Sequence, residues 1–169
     1  HEVDGVDYHF LSEAEFRAMI KADELVEWAE VHGHLYGSSR EALQAASEEG
    51  RFLVLDVDVQ GAMQMRDRVP DAVLVFVLPP SVDALVERLT ERGTEGKDNV
   101  TQRIENARGE LEQASRFDYI VVNENLEQAI DEVRSIVLAE GRRTDRAIDL
   151  SNAIRQLQDQ IDRLLTEKY

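Results

Sequence analysis

Along the chain the spacing of apolar positions switches between two and about 3.6, and each switch marks an element. Val6-Asp7-Tyr8-His9-Phe10 alternates apolar and polar, the period of a half-buried strand. Ser12-Glu13-Ala14-Glu15 has the form of a capping box and predicts a short helix through Phe16, Met19 and Ile20. Leu25–Val31 returns to strand character, and Gly33 permits a turn into His34-Leu35-Tyr36-Gly37-Ser38. Either Ser38 or Ser39 can cap the next helix, which carries Leu43, Ala46 and Ser47 at helical spacing and ends at Gly50.

The centre of the chain is more apolar. Phe52-Leu53-Val54-Leu55-Asp56-Val57-Asp58-Val59 predicts a strand buried on both faces, with a helix from about Gln60 to Arg68 closed by Pro70. Ala72–Leu78 predicts a second buried strand, stopped by Pro79-Pro80. Helices over about 81–91 and 97–115 flank Arg92-Gly93-Thr94. Tyr119-Ile120-Val121-Val122 is a third short strand, and Leu126–Leu138 an amphipathic helix. Strands alternating with helices predict an α/β fold, a parallel sheet with helices on both faces.

From Arg142 the pattern changes in kind. Ala147, Leu150, Ile154, Leu157, Ile161 and Leu164 are spaced 3, 4, 3, 4, 3, an unbroken heptad seam. A helix with such a stripe needs a partner, either the domain's own surface or another subunit, and a homodimer through 147–164 is the expectation.

Composition narrows the function classes. The 169 residues suffice for one domain with a core. Thirty-five acidic residues against 19 basic give a net charge of −16, which argues against a nucleic-acid partner. With no cysteine, disulfides and thiolate metal sites are excluded, and no long apolar span predicts a membrane segment. A soluble, cytoplasmic protein is expected. Only Lys21, Lys97 and Lys168 are lysines, the other cations being arginines, a surface suited to high salt.

Several residues carry candidate chemistry. Asp56 and Asp58, two apart, share one side of their strand at its carboxyl end, where α/β sheets bind ligands. Glu27 shares a strand face with Leu25, Ala29 and Val31; it either turns to water at an edge or accepts from paired N–H donors. Tyr8 and Tyr36 offer hydroxyls that could reach a phosphate, and Ser38 follows Gly37 at a helix start. Arg88 and Arg92 lie four apart on one helix face, with Arg103 beyond the loop. They form surface ion pairs with Glu87, Glu91 and Glu95, or a clamp on a phosphoryl group. His32 and His34 have nothing nearby to complete a metal site.

These signals come in an order: Glu2-Val3-Asp4-Gly5-Val6-Asp7-Tyr8-His9-Phe10, Glu27-Trp28-Ala29, Tyr36-Gly37-Ser38, Leu55-Asp56-Val57-Asp58-Val59-Gln60-Gly61, Pro79-Pro80-Ser81, Arg88–Thr94, Phe117-Asp118-Tyr119 and Val122-Asn123. Each is weak alone; together, from residue 2 to about 140, the chain resembles guanylate kinase. The resemblance implies a P-loop nucleoside monophosphate kinase fold and transfer of the ATP γ-phosphoryl to GMP, with Mg²⁺ accompanying ATP, in purine nucleotide metabolism. It implies that Glu27 accepts from guanine N1 and the 2-amino group, that Ser38 donates to O6, and that Asp58 bears on the base. Tyr8 and Tyr36 would hold the GMP phosphate, with Gly37 in the same GMP-binding set. Asp56 would face magnesium and phosphates, as no direct protein ligand. Arg88, Arg92 and Arg103 would close over ATP, and Asn123 would lie on the adenine side. Residues 1–141 would then form the kinase-like domain, with 1–38 binding GMP and 81–107 the lid, and 142–169 an added helix.

The family's Gly-rich phosphate loop, G-x-x-x-x-G-K-[ST], does not occur in these 169 residues. The expectation is an enzyme cut just upstream of His1, inactive as the chain stands. The alternative is a non-catalytic guanylate kinase-like interaction module.

Overall fold

The computed structural model describes residues 3–5, 8–31, 33–91, 97–146 and 148–168. The chain separates into two compact units, one of 1–74 with 106–118 and the other of 75–105 with 119–169.

The first unit begins with helix α1, Glu13–Lys21, which the sequence marks unambiguously. The Ser12 hydroxyl accepts from the Glu15 amide at 3.3 Å, and the Glu15 carboxylate accepts from the Ser12 amide at 2.8 Å, completing the capping box. Strands β1, Leu25–Val31, and β2, His34–Ser39, form an antiparallel hairpin turned at Gly33, whose φ of 80° suits glycine. A bulge between Leu25 and Glu27 shifts the register there. Ser39 caps helix α2, Arg40–Glu48, by accepting from the Ala42 amide at 3.1 Å. Asp58 caps helix α3, Val59–Arg68, by accepting from the Gly61 amide at 2.7 Å. Val26, Ala62, Met65 and Leu74 make the core, with Leu43, Leu55, Val57 and Phe117 packed on it. The Asp118 carboxylate ties its edges together, accepting from the Leu74 amide at 2.8 Å and from Arg66 at 2.9 Å.

Among the described residues of this unit, two expected strands do not appear as ladders. Phe52–Asp58 joins no ladder among the described residues, and Phe52 and Val54 are 60% and 75% exposed. An apolar run has the composition of a buried strand, but hydrogen-bonded neighbours are what bury it. The inward and outward alternation survives at its end, where Leu55 and Val57 are half-buried and Asp56 and Asp58 exposed. Near the start, Val6 and Asp7 lie outside the described residues, and the neighbouring chain makes only a bridge between Asp4 and Tyr8, with Tyr8 and Phe10 exposed.

The second unit pairs strand β3, Val75–Leu78, in parallel with β4, Tyr119–Val122. The same unit holds helices α4, Val82–Glu91, α6, Leu126–Glu140, and α7, Ile148–Lys168, and α6 packs on β4. Helix α5, Lys97–Leu111, is shared between the units. It stops short of the expected 115, and a 3₁₀ turn, Ala114–Arg116, completes the approach to β4. β3 is shorter than the apolar run suggests, and although Val121 is buried, Val77, Ile120 and Val122 are not. Burial on both faces requires neighbours to either side, and among the described residues these strands pair only with each other. At the end of α6 the buried Glu140 accepts from the Tyr119 hydroxyl at 2.5 Å and pairs with Arg146 at 3.1 Å. No helix among the described residues is long and apolar enough to cross a membrane.

Two outcomes test this account. A Cβ at Gly37 would lie 2.7 Å from the Glu27 carbonyl oxygen and 3.1 Å from the Phe16 ring. Gly37→Ala should therefore cost about 1–3 kcal/mol in urea unfolding, the usual penalty of overpacking, and an unchanged midpoint would show the hairpin to be more yielding than described. The Glu110 carboxyl, in turn, is raised above its ordinary value by partial burial and by the nearby Asp58 charge. A folded state that holds this proton more tightly loses stability as pH rises from the ordinary glutamate range through the raised value. Glu110→Gln should leave stability nearly unchanged at pH 4 and raise it at pH 7; equal effects at both would contradict the shift.

Candidate active site

In the first unit the site is built around one buried acid. Glu27 lies on β1 and is only 5% exposed, so the water-facing edge reading does not hold. Its Oε1 accepts from the Ser38 hydroxyl at 2.7 Å, across the hairpin, where Glu27 and Ser38 are register partners. Gly61 closes the other side: a Cβ there would stand 2.8 Å from Glu27 Oε2. The glycine lets α3 approach the carboxylate without a side chain between them.

The two serines divide as strand periodicity requires. Ser39 caps α2, and Ser38, turned to the other face, serves Glu27. Asp58 is engaged as the cap of α3 through Oδ1, and Asp56 stands exposed on the same side of the chain. Tyr8 and Tyr36 meet edge to face with ring centroids 5.8 Å apart. Both are substantially exposed, which brings two hydroxyl-bearing rings together beside the hairpin. Gly37 is the position where the Phe16 ring of α1 comes against the hairpin.

The second unit holds the cations. Arg88, on α4, donates through Nη2 to the Asn123 carbonyl at 2.7 Å. Arg103, on α5, donates through Nη1 to the Leu89 carbonyl at 2.9 Å, one residue along from Arg88. Both guanidiniums thus rest on neutral backbone oxygens near one helix, and Asn123 meets Arg88 through its main chain. Arg92 and His32 lie outside the described residues. No group of three or more potential metal-ligating side chains occurs among the described residues.

Three contributors escaped the sequence reading. Gly61 lay inside a recognised motif but had no role until its distance to Glu27 was known. Gln64 hydrogen-bonds the main-chain N–H and carbonyl of Trp28, and Arg68 donates to the Leu25 carbonyl at 3.1 Å. Their spacing of three and four along α3 was the only available signal, and polar residues so spaced are common on helix surfaces.

Comparison with known proteins identifies the family. The family model described as guanylate kinase matches residues 1–140. The guanylate kinase of Thermotoga maritima is 47% identical over 149 residues, 88% of this chain and 72% of that protein. That of Caldanaerobacter subterraneus subsp. tengcongensis is 41% identical over 155 residues, covering 92% and 75%. Among solved structures, the guanylate kinase from Anaplasma phagocytophilum superposes with a TM-score of 0.73 at 29% identity, over 92% of this chain and 76% of that one. These matches favour the enzyme over the interaction module. On the family match and the identity of its relatives, the chain belongs to the guanylate kinases, nucleoside monophosphate kinases that transfer phosphate from ATP to GMP.

Proposed function

We propose that the two groups of residues divide the guanylate kinase reaction between base recognition and phosphate handling. The observation that carries this reading is the burial of Glu27 with a hydroxyl, and no described cation, as its partner. An anionic acceptor kept from water suits two adjacent N–H donors, and guanine offers them at N1 and the 2-amino group. Without a nucleotide, the Ser38 proton occupies Glu27 Oε1. Guanine N–H groups take over that acceptor, and the Ser38 hydroxyl turns to donate to guanine O6. One proton cannot serve both acceptors, so this exchange is part of binding. Asp58 borders the base, Tyr8 and Tyr36 receive the GMP phosphate, and Gly37 keeps the approach narrow.

For ATP, Arg88, Arg92 and Arg103 supply the charge that gathers the phosphates, with Asn123 on the adenine side. Moving Arg88 and Arg103 from carbonyl to phosphate exchanges neutral acceptors for charged ones, a favourable direction. The chain's donor set suits Mg²⁺ carried in on ATP, since this ion keeps its waters and takes few carboxylates. Asp56, exposed beside Asp58, is the acid available to those waters. The ion's contribution would be neutralising charge on the phosphates. Residues 1–141 act as the kinase domain in this reading, in the cytoplasm.

The helix α7 extends the proposal to assembly. Ile154, Leu157, Ile161 and Leu164 stand 51–58% exposed along one stripe. The flanking Ser151, Ala153, Gln158 and Gln160 carry no charge, so two copies of this acidic chain can meet here without repulsion. The reading is a homodimer through 147–164.

Two measurements follow. In the full-length enzyme, Glu27→Gln sets an N–H against a guanine N–H, so GMP use should weaken by about 2–4 kcal/mol, roughly 30- to 1000-fold, with KM for ATP little changed. Unaltered GMP kinetics would remove Glu27 from base recognition. Sedimentation should give a dimer that Leu157→Asp with Ile161→Asp converts to monomer; a wild-type monomer across a wide concentration range would end the dimer proposal.

A further inference from the structure

Strand β1, which carries Glu27, has one paired and one open edge. β1 pairs with β2 on one side, and among the described residues no strand pairs with its other side. Helix α3 lies along that open edge. Gln64 Nε2 donates to the Trp28 carbonyl at 2.7 Å, and the Trp28 amide donates to Gln64 Oε1 at 3.2 Å. A primary amide has the planar donor and acceptor of a peptide group, so this side chain stands in for one rung of a missing ladder. One turn later Arg68 holds the Leu25 carbonyl, and one turn earlier Gly61 faces the Glu27 carboxylate.

The location of the clasp matters. The Trp28 amide belongs to the peptide unit that joins Glu27 to Trp28, so holding Trp28 at its main-chain N–H and carbonyl fixes the plane on which the Glu27 Cα sits. The bulge between Leu25 and Glu27 makes this stretch irregular, and a bulge re-aims the side chains beside it. An irregular edge strand needs an outside restraint to hold a side chain in one direction, and Gln64 supplies it.

We propose that Gln64 is a positioning residue for guanine recognition, orienting Glu27 by clamping the backbone of Trp28 from α3. The proposal rests on the reading of Glu27 as the guanine acceptor. Gln64 touches no substrate and acts through β1.

The test uses the full-length enzyme with GMP and with inosine monophosphate, the same nucleotide without the 2-amino group. Gln64→Met keeps the volume and removes both hydrogen bonds. A misdirected carboxylate should raise KM for GMP by about 10- to 100-fold, since displacements of an ångström cost that much, and leave KM for ATP within about twofold. The preference for GMP over inosine monophosphate should fall in parallel, because the 2-amino contact depends on where Glu27 points. In a Glu27→Gln background the same Gln64 substitution should add little. A variant with lowered stability but unchanged GMP preference would show Gln64 to be only structural and overturn the proposal. Full additivity in the double variant would overturn it as well. If Glu27→Gln alone left GMP kinetics intact, the failure would lie in the base-recognition reading. Should Gln64→Met not fold, Gln64→Glu, which keeps the acceptor for the Trp28 amide and loses the donor, carries the same comparison.

Discussion

A carboxylate held out of water in a chain of net charge −16 governs how the first unit is built. Such a group is costly unless partners surround it. Glu27 has Ser38 at one oxygen, and among the described residues no lysine, arginine or histidine within ion-pair distance. The surrounding structure is arranged to hold that situation. The hairpin register puts Ser38 opposite, the bulge redirects the strand, and the bare Cα of Gly61 admits α3 close beside the acid. A protein selected only for stability would place an apolar side chain here. An acid kept at such expense is a local inconsistency of the kind that binding sites tolerate.

The second unit solves a complementary problem. In the proposed division of roles arginines gather phosphates, but in so acidic a chain a free guanidinium is readily neutralised by a neighbouring carboxylate. Arg88 and Arg103 rest instead on main-chain carbonyls. A carbonyl fixes the direction of the group and brings no net charge of its own to cancel it. Such a residue can exchange its acceptor for a phosphate oxygen without first breaking an ion pair, which would cost part of the gain. Among the described residues, surface ion pairing, the ordinary expectation for arginines set among glutamates, is not how these two are held.

What was legible in the sequence was local. The capping box at Ser12 and the glycine turn at Gly33 are each written within four residues, and each formed where expected. Elements that depend on distant partners were less legible. Phe52–Asp58 has the composition of a buried strand, yet no neighbouring strand pairs with it among the described residues. The site followed the same division. Glu27 and Ser38 stood out because an acid on an apolar face, or a serine after a glycine, is odd in place. Gln64 is ordinary in place, and its two hydrogen bonds span 36 positions of sequence.

Ser38 and Ser39 show how little separates the legible from the hidden. As sequence, either could start α2, because both offer a side-chain oxygen just before the helical pattern. The strand decides between them. Successive side chains of β2 point to opposite faces, so only one can turn toward the helix while its neighbour looks across the hairpin. Ser39, the last strand residue, accepts the Ala42 amide, and Ser38 reaches Glu27. Moving the strand end by one residue would exchange the two and leave the carboxylate without its partner. The terminus of β2 is therefore part of the site, set by a helix cap whose own chemistry has nothing to do with nucleotides.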